Sequence, residues 1–320
     1  MTELTMAEAL NRTLREEMAA DDRVLLLGEE IADLGGIFGV TAGLAEEFGT
    51  DRVVDLAISE GGAIGTAAGL AMYGMRPVVE IQFADFIWAG AEQLFNEVAR
   101  MRYRSGGMYS CPMVVRVPYG VGGGLTQSQS PEAHFAHVPG LIVAAPADAT
   151  DAAGLMRAAI RSDDPVIFLE PKRSYRQPAP VEDDAVVSLG IARLRREGAD
   201  LTLVTYGSTV PQAMAAAELS AEKGIQVDVL DLRTLAPFDI GALLGSIAKT
   251  GRAVVVSEAP RCGGFASEIG ATLAEKAIMH LEAPVERVTG YDAPVAPAHE
   301  NDYLPDAAAI ATAIERVANF

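Results

Sequence analysis

The sequence predicts an α/β protein of two domains, each a mainly parallel sheet flanked by helices, and three observations carry that expectation. From residue 24 to residue 169, short β-branched runs alternate with longer stretches of helical period, the pattern of a parallel sheet covered on both faces. A stretch of prolines and acids without apolar periodicity interrupts it. A second alternating series then fills the rest of the 320 residues. The expected domains are 1–185, including the linker, and a smaller 186–320.

The elements follow in order. Thr5 and Glu8 have the spacing of a capping box, and Met6, Leu10, Leu14 and Met18 behind them share one helical face. Strands are expected at 24–27, 53–58, 78–83, 113–117, 141–145 and 166–169. A helix over 95–104 carries Arg100, Arg102 and Arg104 as a solvated or interface face. Residues 170–187, with Gln177-Pro178-Ala179-Pro180 and Glu182-Asp183-Asp184, read as an interdomain linker. Strands at 201–206, 226–230, 253–257 and 285–288 build the second sheet, and an alanine-rich helix over 306–317 closes the chain.

With 44 acidic against 25 basic residues, the net charge of −19 opposes the phosphate neutralisation that nucleic-acid binding requires. It also disfavours an anionic membrane surface. No apolar run reaches the roughly 18 residues of a spanning helix, and the polar start has no signal-peptide stretch, so a cytoplasmic protein is expected. Cys111 and Cys262 stand apart from each other and from any metal-ligand spacing, which argues against a disulfide framework and a zinc site.

In open α/β sheets, ligands gather at the carboxyl ends of strands. Glu60 follows such an end, directly before a helix built from Gly61, Gly62, Ala63, Gly65, Ala67, Ala68 and Gly69. So small a helix admits a cofactor, another subunit or simply the sheet at close range. Gln82 ends what reads as the neighbouring strand, with Phe86 four residues on. A carboxylate, an amide and an aromatic ring suit a flat, nitrogen-containing ring. The run Gly120-Val121-Gly122-Gly123-Gly124 lacks the Lys-Ser/Thr pair of a phosphate loop and the strand-glycine-helix context of a dinucleotide fingerprint, and reads as a mobile loop near the site. His134 and His137 share a turn, where capping or core hydrogen bonding is expected ahead of a metal.

Taken in order, several segments resemble the beta subunits of the first, decarboxylating component of 2-oxo acid dehydrogenase complexes, within the transketolase-like thiamine enzymes. They are Leu27-Gly28-Glu29-Glu30, Ile58-Ser59-Glu60, Glu80-Ile81-Gln82-Phe83-Ala84-Asp85-Phe86, Arg102-Tyr103-Arg104-Ser105-Gly106-Gly107, Ser128-Gln129-Ser130-Pro131-Glu132-Ala133, Asp231-Leu232-Arg233-Thr234-Leu235 and Ser257-Glu258-Ala259-Pro260 with Gly263-Gly264-Phe265-Ala266-Ser267-Glu268. The resemblance spans essentially the whole chain and is nearest to the branched-chain and bacterial members.

The resemblance implies a transketolase-like pyrimidine-binding domain and a transketolase C-terminal domain, acting on pyruvate or a branched-chain 2-oxo acid through thiamine diphosphate with acyl transfer to a lipoyl group. Glu60 would hydrogen-bond the aminopyrimidine ring nitrogen, and Ile58, Gln82 and Phe86 would line that pocket. Backbone carbonyls at Met113, Ala159, Ser162 and Asp164 match where relatives bind a structural potassium ion. No Gly-Asp-Gly motif for the diphosphate's magnesium occurs, which implies an alpha subunit that binds it, in an α2β2 assembly serving a lipoyl acyltransferase core. Relatives carry histidine where this chain has Gln127, and glutamine hydrogen-bonds but cannot shuttle a proton near neutral pH. That position leaves open a different acyl acceptor, or a non-catalytic, regulatory subunit of the same fold.

Overall fold

The computed structural model describes residues 2–320. These form two compact units, one of residues 2–119 and 134–189 and one of residues 120–133 and 190–320. Along residues 2–189 run β1 (Thr2–Thr5), α1 (Met6–Ala20), β2 (Val24–Gly28), α2 (Leu44–Phe48), β3 (Val53–Asp55), α3 (Glu60–Met72), β4 (Arg76–Glu80), α4 (Met101–Arg104), β5 (Val114–Tyr119), α5 (Glu132–Ala136), β6 (Ile142–Ala144), α6 (Ala149–Arg161), β7 (Val166–Pro171) and β8 (Pro178–Val181).

In the first unit six strands pair in parallel in the order β6-β7-β5-β4-β2-β3. Their Val- and Leu-rich runs are buried almost throughout, as strands covered on both faces must be. The capping box forms: Thr5 Oγ1 accepts the Glu8 N–H at 3.3 Å, and Glu8 Oε2 accepts the Thr5 N–H at 2.8 Å. Behind it Met6, Leu10, Leu14 and Met18 are fully buried in one core with Ala152, Leu155 and Met156 of α6. The rim of this helix pair is tied by Arg161 Nη2 to Glu17 Oε1 at 2.7 Å.

Three expectations need correction here. Part of the expected linker is β8, which pairs antiparallel with β1 in register Thr5↔Pro178 and Glu3↔Pro180. Proline lacks the ladder's N–H, and an isolated two-stranded ribbon is where that loss is tolerated. The strand expected over 53–58 stops at Asp55, because the chain must turn to start α3. The helix expected over 95–104 is a π-helical turn at Gln93–Val98 followed by α4. Its arginines are exposed and ion-paired, Arg102 to Asp164 and Arg104 to Glu97, each at 2.5 Å.

The second unit contains β9 (Arg193–Arg196), β10 (Leu201–Thr205), α7 (Val210–Ala221), β11 (Val227–Asp231), β12 (Thr234–Ala236), α8 (Ile240–Thr250), β13 (Ala253–Pro260), α9 (Phe265–Lys276), β14 (Glu286–Gly290), α10 (Glu300–Tyr303) and α11 (Ala307–Ala318). Its sheet runs β14-β13-β10-β11-β9, parallel except for β9. The arginine-rich β9 has no strand pattern in the sequence. Side chains hold it, with Arg195 Nη2 on Asp231 Oδ2 at 2.7 Å and Arg196 Nη1 on the Val227 carbonyl at 3.1 Å. Ala213, Ala216 and Ala217 of α7 meet Ile310, Ala313 and Ile314 of α11 in its core. Among the described residues no helix is long and apolar enough to cross a membrane.

Candidate active site

The strand order determines which residues share the carboxyl edge of the first sheet. β2 lies between β3 and β4, so Gln82 does not end the strand next to the one before Glu60. The exit of β2 fills the gap, and its first residue is Glu29. The sequence shows the Gly28-Glu29 pair but not this position, since strand order is invisible to local pattern. A carboxylate immediately beyond a buried apolar run is the one signal that could have found it.

Glu60 opens α3, whose cap is Ser59: its Oγ accepts the Gly62 N–H at 3.2 Å. A carboxylate in the first turn lies where the helix dipole favours negative charge. The loop before it is fixed by Asp55, which accepts the N–H groups of Ala32 at 2.8 Å and Asp33 at 3.2 Å. Glu29 is half-buried, accepts the Ser59 N–H, and is pushed above the usual carboxylate range, first by burial and then by the Glu60 charge. Two carboxyl groups that sense each other at adjacent strand exits are suited to hold and pass a proton.

Gln82 is half-buried two residues past β4, and Phe86 exposes 37% of its surface with its ring edge-on to Phe83 at 5.6 Å. The turn Ile87–Gly90 that follows Phe86 touches the start of α3 backbone to backbone. A Cβ on Gly90 would stand 2.4 Å from Ile64 Cδ1 and 3.2 Å from the Glu60 carbonyl, and one on Gly61 would stand 3.0 Å from the Ala89 carbonyl. Close packing within the chain thus explains some glycines of α3. Gly62, Thr66 and Gly69 lie exposed on its other side, ahead of Met72 and Tyr73. Ile58 is 84% exposed. The edge therefore offers paired carboxyls, an amide and two uncovered apolar side chains, a donor set that fits a flat aminopyrimidine ring and leaves its far face to be covered.

Behind Gln82 lies a sealed ionic network. Arg116, 1% exposed, donates to Glu80 Oε2 at 2.7 Å and to both oxygens of Glu170 at 2.7 and 2.8 Å, and Tyr175 donates to Glu170 at 2.5 Å. Burial opposes the guanidinium charge, but the two carboxylates outweigh it and keep it charged. Glu80 also accepts the Ile37 N–H, which joins β4 to the loop beyond β2.

Gln127 belongs to the second unit and is half-buried. Its loop, read from the sequence as mobile, is tied down: the N–H groups of Gly123 and Gly124 donate to Glu300 Oε1 at 3.0 and 2.7 Å, Gly122 N–H to Ser128 Oγ at 3.2 Å, and Gly120 N–H to the Gln129 carbonyl at 2.9 Å. A carboxylate of this chain holds the amides that would cradle a phosphate. The His134 ring lies edge-on to Trp88 at 4.9 Å, and His137 is exposed. Among the described residues no group of three or more His, Cys, Asp or Glu could hold a metal ion.

The carbonyls singled out for potassium all accept hydrogen bonds: Met113 from the Val166 N–H, Ala159 from the Ser162 N–H, Asp164 from Ser162 Oγ, and Ser162 from Arg76 Nη1 at 2.8 Å. Arg76 reaches Ile160 as well, at 3.0 Å. The Arg76 guanidinium thus sits against this turn through the Ile160 and Ser162 carbonyls.

The transketolase pyrimidine-binding domain matches residues 2–178, and the transketolase C-terminal domain matches residues 190–310. The chain is 46% identical to the pyruvate dehydrogenase E1 component subunit beta of Leifsonia xyli, over 98% of this chain and 94% of that one. It is 44% identical to the 2-oxoisovalerate dehydrogenase subunit beta of Pseudomonas aeruginosa, over 99% and 95%. Among solved structures, a split-gene transketolase described as an inactive beta4 tetramer superposes with a TM-score of 0.83 at 24% identity, covering 99% of this chain and 98% of that one. That likeness concerns the fold.

Proposed function

Because this chain belongs to the transketolase-like beta subunits of the 2-oxo acid dehydrogenases, we propose that it forms, with an alpha subunit, a cytoplasmic thiamine-diphosphate-dependent enzyme that oxidatively decarboxylates pyruvate or a branched-chain 2-oxo acid. The observation that carries the reading is the Glu60–Glu29 carboxyl pair at adjacent strand exits. The relatives, named as dehydrogenase subunits, do not favour a regulatory role.

Bound thiamine diphosphate supplies the nucleophilic carbon that adds to the 2-oxo group and the electron sink for loss of carbon dioxide. Glu60 holds the proton at the ring nitrogen, and Glu29, with its raised pKa, backs that proton from the neighbouring exit. Gln82 orients the ring through its amide, and Phe86 and Ile58 exclude water from its faces. The alpha subunit holds the diphosphate and its magnesium, covers Ile58 and the exposed side of α3, and completes an α2β2 assembly. The acyl group passes to a lipoyl arm on an acyltransferase core. The scheme routes no step through potassium.

Two measurements test it. The isolated chain is expected to bind thiamine diphosphate and magnesium far more weakly than the reconstituted complex, and calorimetry showing equally tight binding by the chain alone would refute the shared site. In the complex, Gln127→His is expected to speed lipoamide acylation more than decarboxylation coupled to an artificial oxidant. Equal gains in both assays would remove Gln127 from the acyl-transfer step.

A further inference from the structure

In the second unit two carboxyl side chains are sealed together where the segment 120–133 is seated. Glu132 is fully buried; the Tyr206 hydroxyl donates to its Oε1 at 2.9 Å, and its Oε2 has no hydrogen-bond partner. Glu258 on β13 is 1% exposed, and its Oε1 accepts from Ser130 Oγ at 3.3 Å. A Cβ on Gly120 would stand 2.1 Å from that same oxygen. Glu258 thus closes against both ends of the segment, while Glu132 anchors its far end from within.

A buried carboxylate needs donors or a cation, and an unpartnered oxygen facing another anion has neither. The groups that act on Glu132 are its own N–H, Glu258 and Tyr206, and the Tyr303 hydroxyl senses the charge of both carboxyls. A proton on Glu132 resolves the conflict, because the neutral acid needs no countercharge and stops repelling Glu258.

We propose that Glu132 is a protonated latch: as the neutral acid it seats the segment 120–133 in the second unit, and its ionisation beside Glu258 releases that segment. Burial pushes its carboxyl up to about 7, with Glu258 adding to the rise and its own N–H and the Tyr206 hydroxyl opposing it. The latch is therefore fully held only in acid, and its hold is lost progressively as pH rises from the ordinary carboxyl range to about 7. The segment carries Gln127, so opening would also change access to that side chain. This second consequence rests on the role proposed for Gln127, whereas the latch does not.

Hydrogen exchange of the full chain in complex with its alpha subunit, followed by mass spectrometry from mild acid to mild base and corrected for intrinsic rates, tests it. Linkage through one proton predicts that protection of peptides from 120–131 falls by up to about tenfold per pH unit from the ordinary carboxyl range up to about 7, and levels off above it. Glu132→Gln, neutral at every pH, is expected to abolish that fall. Tyr206→Phe is expected to move the pH at which the fall levels off upward, because it removes a donor that favours the ionised form. Protection of β10 in the same data reports that each variant is folded. Protection in the parent that does not depend on pH, or a Glu132→Gln variant that tracks the parent, would overturn the latch while leaving the enzymatic assignment standing.

Discussion

Replacing Glu60 by Gln is expected to lower 2-oxo acid decarboxylation by about 10²–10⁴-fold, the usual contribution of a positioned acid or base. The amide keeps the size and one hydrogen-bonding oxygen of the carboxyl group but cannot gain or lose the proton. Glu60 lies half-buried in the first turn of α3, where the Ser59 cap and the Gly61–Ala89 approach set the backbone independently of its side chain. Assembly with the alpha subunit should therefore be unchanged by size-exclusion chromatography. Turnover near that of the parent would sink the assignment.

The second large effect concerns stability. Arg116→Leu strands Glu80 and Glu170 in a dry interior without their common partner, and removing one member of a buried ionic group costs about 3–5 kcal/mol. The corresponding fall in melting temperature is on the order of 10 °C. Arg116→Lys should lose less, since it keeps the charge and gives up only the paired geometry to Glu170. A Leu variant that melts within about 2 °C of the parent would show that the network contributes little. The fall should also loosen the loop at Ile37, which hangs on Glu80, and so tie stability to the shape of the candidate site.

The main strands were legible because β-branched runs of helix-free length leave a local trace, and the capping box because Thr5 and Glu8 are chemically explicit. β8 and β9 were not legible: the first is proline-rich and the second a row of arginines, and each is held by a partner strand that no local window contains. Glu60 and Gln82 were read as neighbouring strand exits, with Phe86 four residues on, but their spacing was misjudged, because the place of β2 in the sheet is a tertiary fact. Glu29 went unassigned for the same reason. Arg116 and Glu132 escaped because charge in a sequence reads as surface, and only the structure reveals that these two are sealed.

The chain changes unit after residues 119, 133 and 189, and this has a kinetic consequence. During synthesis the segment 120–133 emerges long before its mates, since Glu132 awaits a tyrosine 74 positions later and Ser130 a carboxylate 128 positions later. Contacts closed over such spans form late and slow the final approach to the native state. The glycines at 120, 122, 123 and 124 keep the waiting strip polar and pliant, which limits its chance of settling in a wrong pairing while the ribosome finishes the rest.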